Sequence, residues 1–148
     1  MEVCYLSNYY IAYGINMNQE HFKSLCKNST FISSGYLCDY RLEFKTFANI
    51  VHDKNAQVPI VVWKISDEEL KKIDLYEGSL YERIMIPLNL VECKSNLTGN
   101  AYVYTMTQNE KNVILPTPQK YIDTIAEAYK VLDFELLALY AAIYSAEE

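Results

Sequence analysis

The sequence is poor in the residues that announce chemistry on their own. Its 148 residues include two histidines, four cysteines, four glycines, four prolines and one tryptophan. His21 and His52 stand far apart, with no acidic or thiol partner at ligand spacing, so no metal site is expected. Cys4, Cys26, Cys38 and Cys93 are scattered, with no Cys-x-x-Cys pair. They read as reduced, mostly buried thiols of a cytosolic protein. No histidine sits near a cysteine, which argues against a Cys-dependent hydrolase. Basic residues are in deficit: the net charge is −6 and the pI about 5.0. An acidic chain without a basic run excludes nucleic acid and anionic membranes as expected partners. No apolar run reaches the ~18 residues of a membrane span. The start, Met1-Glu2-Val3-Cys4, has neither the basic residues nor the cleavage site of an export signal, so a cytoplasmic location is expected.

What the chain does have is apolar and aromatic mass. Hydrophobic residues make up 51% and charged residues 22%, which places it among globular domains. Its length suggests one domain over 1–148. Such a domain buries roughly 70% of its unfolded surface and needs no disulfide or metal to hold it. Tyrosine is heavily used, at 14 residues. Tyrosines fill cores and also line polar pockets, so the count alone does not distinguish the two.

The stretch 9–16, Tyr-Tyr-Ile-Ala-Tyr-Gly-Ile-Asn, reads as a buried strand that stops at Gly14. Asn16 stands where a helix over 17–26 would begin, with Gln19 three residues on. A strand, a glycine turn and a helix start aim N–H groups at one point, suited to a carboxylate or an oxyanion. Gly14 is expected to take a backbone shape closed to other residues, or to let a ligand approach closely.

Further along, 35–47 reads as a strand, and 48–51 as its continuation or return. His52-Asp53-Lys54-Asn55 reads as a turn. The apolar run 58–65 suits a strand covered on both faces, with Pro59 near its start. Ser66-Asp67-Glu68-Glu69 is a capping box. It opens a helix with Leu70 and Ile73 inward and Gly78 as its stop, so Glu77 is held at the helix end. Residues 81–93 alternate as one half-buried strand, with Pro87 at an edge or a bulge. Residues 101–106 form another strand, and 107–113 reads as loop. Thr117 and Pro118 start a helix over 118–130, and a second helix covers 133–145. The second is apolar nearly all round, so it packs in its own domain or in a homodimer interface. The reading is α+β.

Two segments combine: Tyr13-Gly14-Ile15-Asn16, and Ile73-Asp74-Leu75-Tyr76-Glu77-Gly78 followed by Tyr81. Their order resembles the γ-glutamylcyclotransferase family, which shows Tyr-Gly-Ser-Asn after its first strand, then Leu-Asp-x-x-Glu-Gly and a tyrosine. The likeness extends over about 9–129. It implies a small mixed β-barrel of about five to seven strands surrounded by helices. It implies conversion of a γ-glutamyl amine or peptide to 5-oxoproline and a free amine, an acyltransferase or lyase type of reaction without a cofactor. It implies Glu77 as general acid/base. Tyr13, Gly14, Ile15 and Asn16 would hold the γ-glutamyl group, and Tyr81 and Tyr104 would line the pocket. Ile15 departs from the family's serine. That departure leaves open an inactive small-molecule binding module of the same fold. Asp74 is expected to cap or pair.

Overall fold

Alternating apolar and aromatic residues build six strands, and the computed structural model describes residues 7–107 and 115–146. Cys4 and the part of the polar stretch beyond residue 107 lie outside the described residues. The strands are β1 (Ser7–Ala12), β2 (Thr30–Lys45), β3 (Phe47–Ser66), β4 (Tyr81–Pro87), β5 (Leu90–Val91) and β6 (Asn100–Met106). They form one sheet in the order β4-β6-β1-β3-β2-β5. β1 and β6 run parallel and every other pair is antiparallel. The helices are α1 (Gln19–Leu25), α2 (Asp67–Glu77), α3 (Gln119–Val131) and α4 (Leu136–Ser145). The mixed α+β architecture is as expected. The sheet is barrel-like rather than closed, since no ladder joins β4 to β5.

β3 is the central strand, between β1 and β2. Val58, Ile60, Val61, Val62 and Trp63 are all at most 1% exposed, as a strand covered on both faces requires. Trp63 packs at 4.6 Å on Phe22 of α1 and at 5.8 Å, edge-on, against Phe31 of β2.

Several local expectations need correction. His52 to Asn55 is not a turn but part of β3, and His52 pairs with Tyr40. The turn signal marks a bend instead. The ladder slips between Cys38 and Tyr40, and Asp39 (φ 69°) and Asn55 (φ 74°) sit on facing strands in the left-handed region. Asp39 Oδ1 accepts from the Asn55 N–H at 3.3 Å, the local side-chain bond that makes such residues turn-like. Pro59 consequently lies inside the strand. It stands two residues beyond Val61, the last residue paired to β1, where a missing donor leaves no second neighbour unserved. The single strand over 81–93 is two, because β4 ends at Pro87 and β5 crosses to pair with β2. The cap of α1 is Asn18, whose Oδ1 accepts from the His21 N–H at 3.0 Å. Asn16 instead falls in a 3-10 turn, Ile15–Met17. Pro118, not Thr117, occupies the N-cap position of α3, with no side-chain cap.

The capping box of α2 is present: Ser66 Oγ accepts from the Glu69 N–H, and Glu69 Oε1 accepts from the Ser66 N–H. α4 seats Leu139 and Ile143 in the core but leaves Leu137 and Tyr144 exposed. Among the described residues no helix is long and apolar enough to cross a membrane.

Candidate functional site

β1 stops at Ala12, while β3 and β6 run on past it. Beyond that end the β2–β3 hairpin meets β4 and β6 directly. Asn49 Oδ1 accepts from the Met106 N–H at 2.9 Å, and the Tyr81 hydroxyl donates to the Ala48 carbonyl at 2.6 Å. A cavity of about 300 Å³ opens at this place. Its buried floor includes Tyr10, Tyr13, Asn16 and Tyr104, while Ile15, Phe47, Tyr76 and Leu80 are partly or openly exposed.

All seven residues singled out from the sequence line this one cavity: Glu77, Tyr13, Gly14, Ile15, Asn16, Tyr81 and Tyr104. Glu77 reaches it because α2 ends there. Gly78 takes φ 66° and its N–H donates to Asp74 O, a conformation open to glycine and strained for other residues. Gly14 is also crowded by its neighbours. Its φ is −120°, which other residues reach. A Cβ there, however, would stand 3.2 Å from Ala48 Cβ and 3.3 Å from the Tyr121 hydroxyl. Close approach therefore favours the glycine, at a backbone of φ −120° and ψ −134°.

The turn is anchored from below. The Trp63 indole N–H donates to Asn16 O at 2.9 Å, and Asn16 Nδ2 donates to the Tyr10 hydroxyl at 2.9 Å. Asn16 Oδ1, at 3% residue exposure, has no partner among the described residues. Whichever way the amide is turned, it has one buried polar atom more than the protein satisfies. Such an atom costs free energy unless a ligand or water meets it. Among the described residues, no acceptor faces the N–H groups of Ile15 and Asn16 either, as at any helix start.

The tyrosine hydroxyls differ in what they are free to do. Tyr13 donates to Tyr104 O at 2.6 Å, Tyr81 donates to Ala48 O, and Tyr104 donates to Asp74 Oδ1 at 2.5 Å. Their protons are committed within the protein. Asp74 also holds Arg83 at 2.9 Å, the pairing expected for it. Tyr121 of α3 is different. Its hydroxyl accepts from the Ala48 N–H at 3.1 Å, and its own proton has no acceptor among the described residues. Burial, and the charge of Glu77 after it, raise its pKa well above that of a free tyrosine, so this group stays a donor.

Glu77 has no hydrogen-bond donor or cation beside it among the described residues. Burial alone pushes its pKa up to about 7, because an apolar surround disfavours the charged form. Among the described residues no group of three or more His, Cys, Asp or Glu side chains could hold a metal.

These elements occur in a known order. A family model, γ-glutamyl cyclotransferase, AIG2-like, matches residues 10–123. The chain belongs to that family. A solved γ-glutamyl cyclotransferase is 25% identical, covers 88% of this chain and 83% of its own, and superposes with a TM-score of 0.74. An uncharacterised human protein is 24% identical over 88% of this chain and 82% of its own, with a TM-score of 0.72. A mouse AIG2-like protein, 15% identical over 76% and 84%, shares the fold at a TM-score of 0.57. Among curated proteins no sequence matches the chain. Tyr10 and Tyr121 belong to the same cavity but are not among the site residues that the sequence singles out. Tyr10 reads as strand packing, and Tyr121 lies on a helix remote in sequence from both motifs.

Proposed function

We propose that the chain is a γ-glutamyl cyclotransferase, releasing 5-oxoproline and a free amine from a γ-glutamyl amine or peptide. The observation that carries this reading is Glu77: a carboxylate unpaired among the described residues, raised to about pKa 7, lining the same cavity as the turn at Tyr13, Gly14, Ile15 and Asn16. A base is most useful when its pKa lies near the working pH.

The substrate carries its own nucleophile. Its α-amino nitrogen attacks its γ-carbonyl carbon, closing a five-membered ring. The new C–N bond forms as the carbonyl π pair moves onto oxygen, and Glu77 takes one proton from the attacking nitrogen. The oxyanion then collapses, the bond to the departing amine breaks, and Glu77 returns the proton to that amine. Protein, atoms and charge balance at the end. Holding such a tethered pair in attack geometry is worth up to about 7–11 kcal/mol. The proton steps add roughly 10²- to 10⁴-fold.

Each remaining group has a matching part. The N–H groups of Ile15 and Asn16 suit the substrate carboxylate. Asn16 Oδ1 suits an N–H of the α-amino group. The uncommitted Tyr121 hydroxyl suits the oxyanion. Tyr13, Tyr81 and Tyr104 shape the walls, since their protons are held elsewhere. The reaction as drawn uses no cofactor and no thiol, and we place it in the cytoplasm.

The test is 5-oxoproline release from a panel of γ-glutamyl amines and dipeptides, with Glu77→Gln alongside. Release by the native chain and its loss in the variant are expected; equal turnover by both ends the acid/base assignment. A second reading is favoured by Ile15, which lines the cavity where the family pattern has serine. It is a binding module without turnover. Calorimetric binding of γ-glutamyl ligands with no product after long incubation would establish it.

A further inference from the structure

α2 ends on the wrong charge for a helix C-terminus. Its last turn carries Asp74 and Glu77 and no basic residue, where the helix dipole disfavours carboxylates. The cation comes from β4. Arg83 Nη1 donates to Asp74 Oδ2 at 2.9 Å, and its guanidinium lies 4.9 Å from the centre of the Tyr102 ring. The other carboxylate oxygen, Oδ1, accepts from the Tyr104 hydroxyl at 2.5 Å. Arg83 and Tyr104 are directly opposed across the β4–β6 ladder, so one side chain of α2 binds two facing residues of the sheet. The main-chain carbonyl of Asp74 accepts from the Gly78 N–H, the bond that closes the helix just past Glu77. Asp74 precedes Glu77 by three residues, which makes the two neighbours on the helix surface.

Resting on the cyclotransferase reading, in which Glu77 moves the proton, we infer that Asp74 and Arg83 are positioning residues for Glu77: together they anchor the end of α2 to the sheet and cancel each other's charge beside the base. The anchor is geometric. Tyr104 is a wall of the cavity and α2 carries Glu77, so the Tyr104–Asp74 bond fixes the base relative to that wall. A tethered reaction depends on such placement. The cancellation is electrostatic. Either charge alone would change the proton affinity of Glu77, Asp74 upward and Arg83 downward. Paired, they leave burial as the cause that brings Glu77 to about 7. Among the described residues, the other titratable groups around Glu77 are phenols and one imidazole. Burial raises the pKa values of Tyr10 and Tyr13 of β1, Tyr76 beside Glu77, Tyr104 of β6 and Tyr121 of α3, so they stay neutral. Tyr81 of β4 has its proton on the Ala48 carbonyl. His21 of α1 lies 3.4 Å from the Tyr76 hydroxyl, and burial lowers its pKa, which keeps it neutral at pH 7.

The experiment follows Glu77 in two ways. One is the pH profile of 5-oxoproline release from the best γ-glutamyl substrate. The other is the NMR titration of the Glu77 carboxyl, its resonance assigned by its loss in Glu77→Gln. Asp74→Asn keeps an acceptor for Tyr104 but frees the Arg83 cation. At low ionic strength it should move both midpoints down by about half a pH unit or more. Arg83→Gln should move them up comparably, and the double variant should return them close to the native values. Added salt should shrink both shifts, since the pair is partly exposed. General damage to the fold would move both single variants alike, so opposite signs are the signature of charge. Shifts of one sign, or no shift in either variant, overturn the inference. If Asp74→Asn fails to fold by circular dichroism, Arg83→Gln decides: an upward shift that salt suppresses supports it, and an unmoved midpoint overturns it. Tyr104→Phe cuts the anchor and keeps the ion pair. It should lower kcat several-fold and speed amide exchange over 74–78 with the midpoint in place; native kcat and native exchange overturn the anchor. If the native chain releases no 5-oxoproline, the cyclotransferase reading fails, and the carboxyl titration and amide exchange still decide this one.

Discussion

The cavity at the end of β1 and the groove beneath α4 differ less in volume than in what their polar groups are free to do. The groove is the larger, about 420 Å³ against about 300 Å³. It lies between Arg41, Leu42, Glu43 and Phe44 of β2 and the small residues of α4, among them Ala138, Ala141 and Ala142. Its charged groups are already occupied. Arg41 pairs with Asp53 at 3.2 Å, and Glu43 accepts from Asn49 at 2.8 Å. Ser145 donates to the Ala141 carbonyl within α4. Among the described residues, the smaller cavity holds a carboxylate with no partner, a buried amide oxygen with no donor and a hydroxyl proton with no acceptor. Vacant chemistry, not vacant space, separates a site from a packing gap.

The contrast can be broken or sharpened by substitution, starting where the effect is greatest. Glu77→Gln should lower kcat roughly 10²- to 10⁴-fold without lowering the thermal unfolding temperature, since the residue has no bond to lose among the described residues and the amide removes a desolvated charge. Arg41→Gln in the groove should leave kcat/KM within experimental error, and a comparable loss there would erase the distinction. Tyr121→Phe should come next, lowering kcat/KM by about 10²-fold as a lost oxyanion donor does. Tyr13→Phe, whose hydroxyl is committed to Tyr104 O, should instead reduce stability by about 1 kcal/mol with a smaller kinetic effect. The reverse order for these two tyrosines would refute the proton accounting.

Gly14→Ala is expected to cost about 1–3 kcal/mol of stability through crowding and to weaken kcat/KM by displacing Tyr121. Chemical denaturation and steady-state rates measure the two parts. A further test lies in pH dependence. Glu77 has a folded pKa of about 7, above its usual value of 4.5. Its protonated form is therefore favoured by folding. Its contribution to stability is full below pH 4.5 and declines as pH rises through about 7. Activity moves the other way, because ionised Glu77 is the base: kcat/KM should rise through about pH 7. Glu77→Gln should flatten its share of the stability curve, and a wild-type activity limb near pH 4.5 would contradict the burial of this carboxylate.

Much of the fold is legible along the chain, and the errors have physical causes. The α2 capping box and its Gly78 stop are local, satisfied within a few residues, and appear as read. The run at 58–65 is apolar because neighbours cover both faces, and it is the middle of the sheet. His52 to Asn55 carries turn residues yet lies in a strand, because a bulge meets the same backbone needs as a loop. Asn16 has the chemistry of a cap, but Asn18 performs that role. Asn16 is drawn under the turn by Tyr10 and Trp63, both placed by the sheet.

By itself, the sequence determined the family, the α+β class, the site of Glu77 at a helix end and the glycine turn after β1. These are patterns of short range, decided by periodicity and capping. Only the tertiary structure decided that the β2–β3 hairpin wraps past the end of β1 and brings Ala48 and Tyr121 to the turn. It alone decided which tyrosine protons are committed, and that Glu77 stands unpaired among the described residues. A proton's partner depends on atoms remote in sequence that meet in space, and a carboxylate's pKa depends on the solvent those atoms exclude.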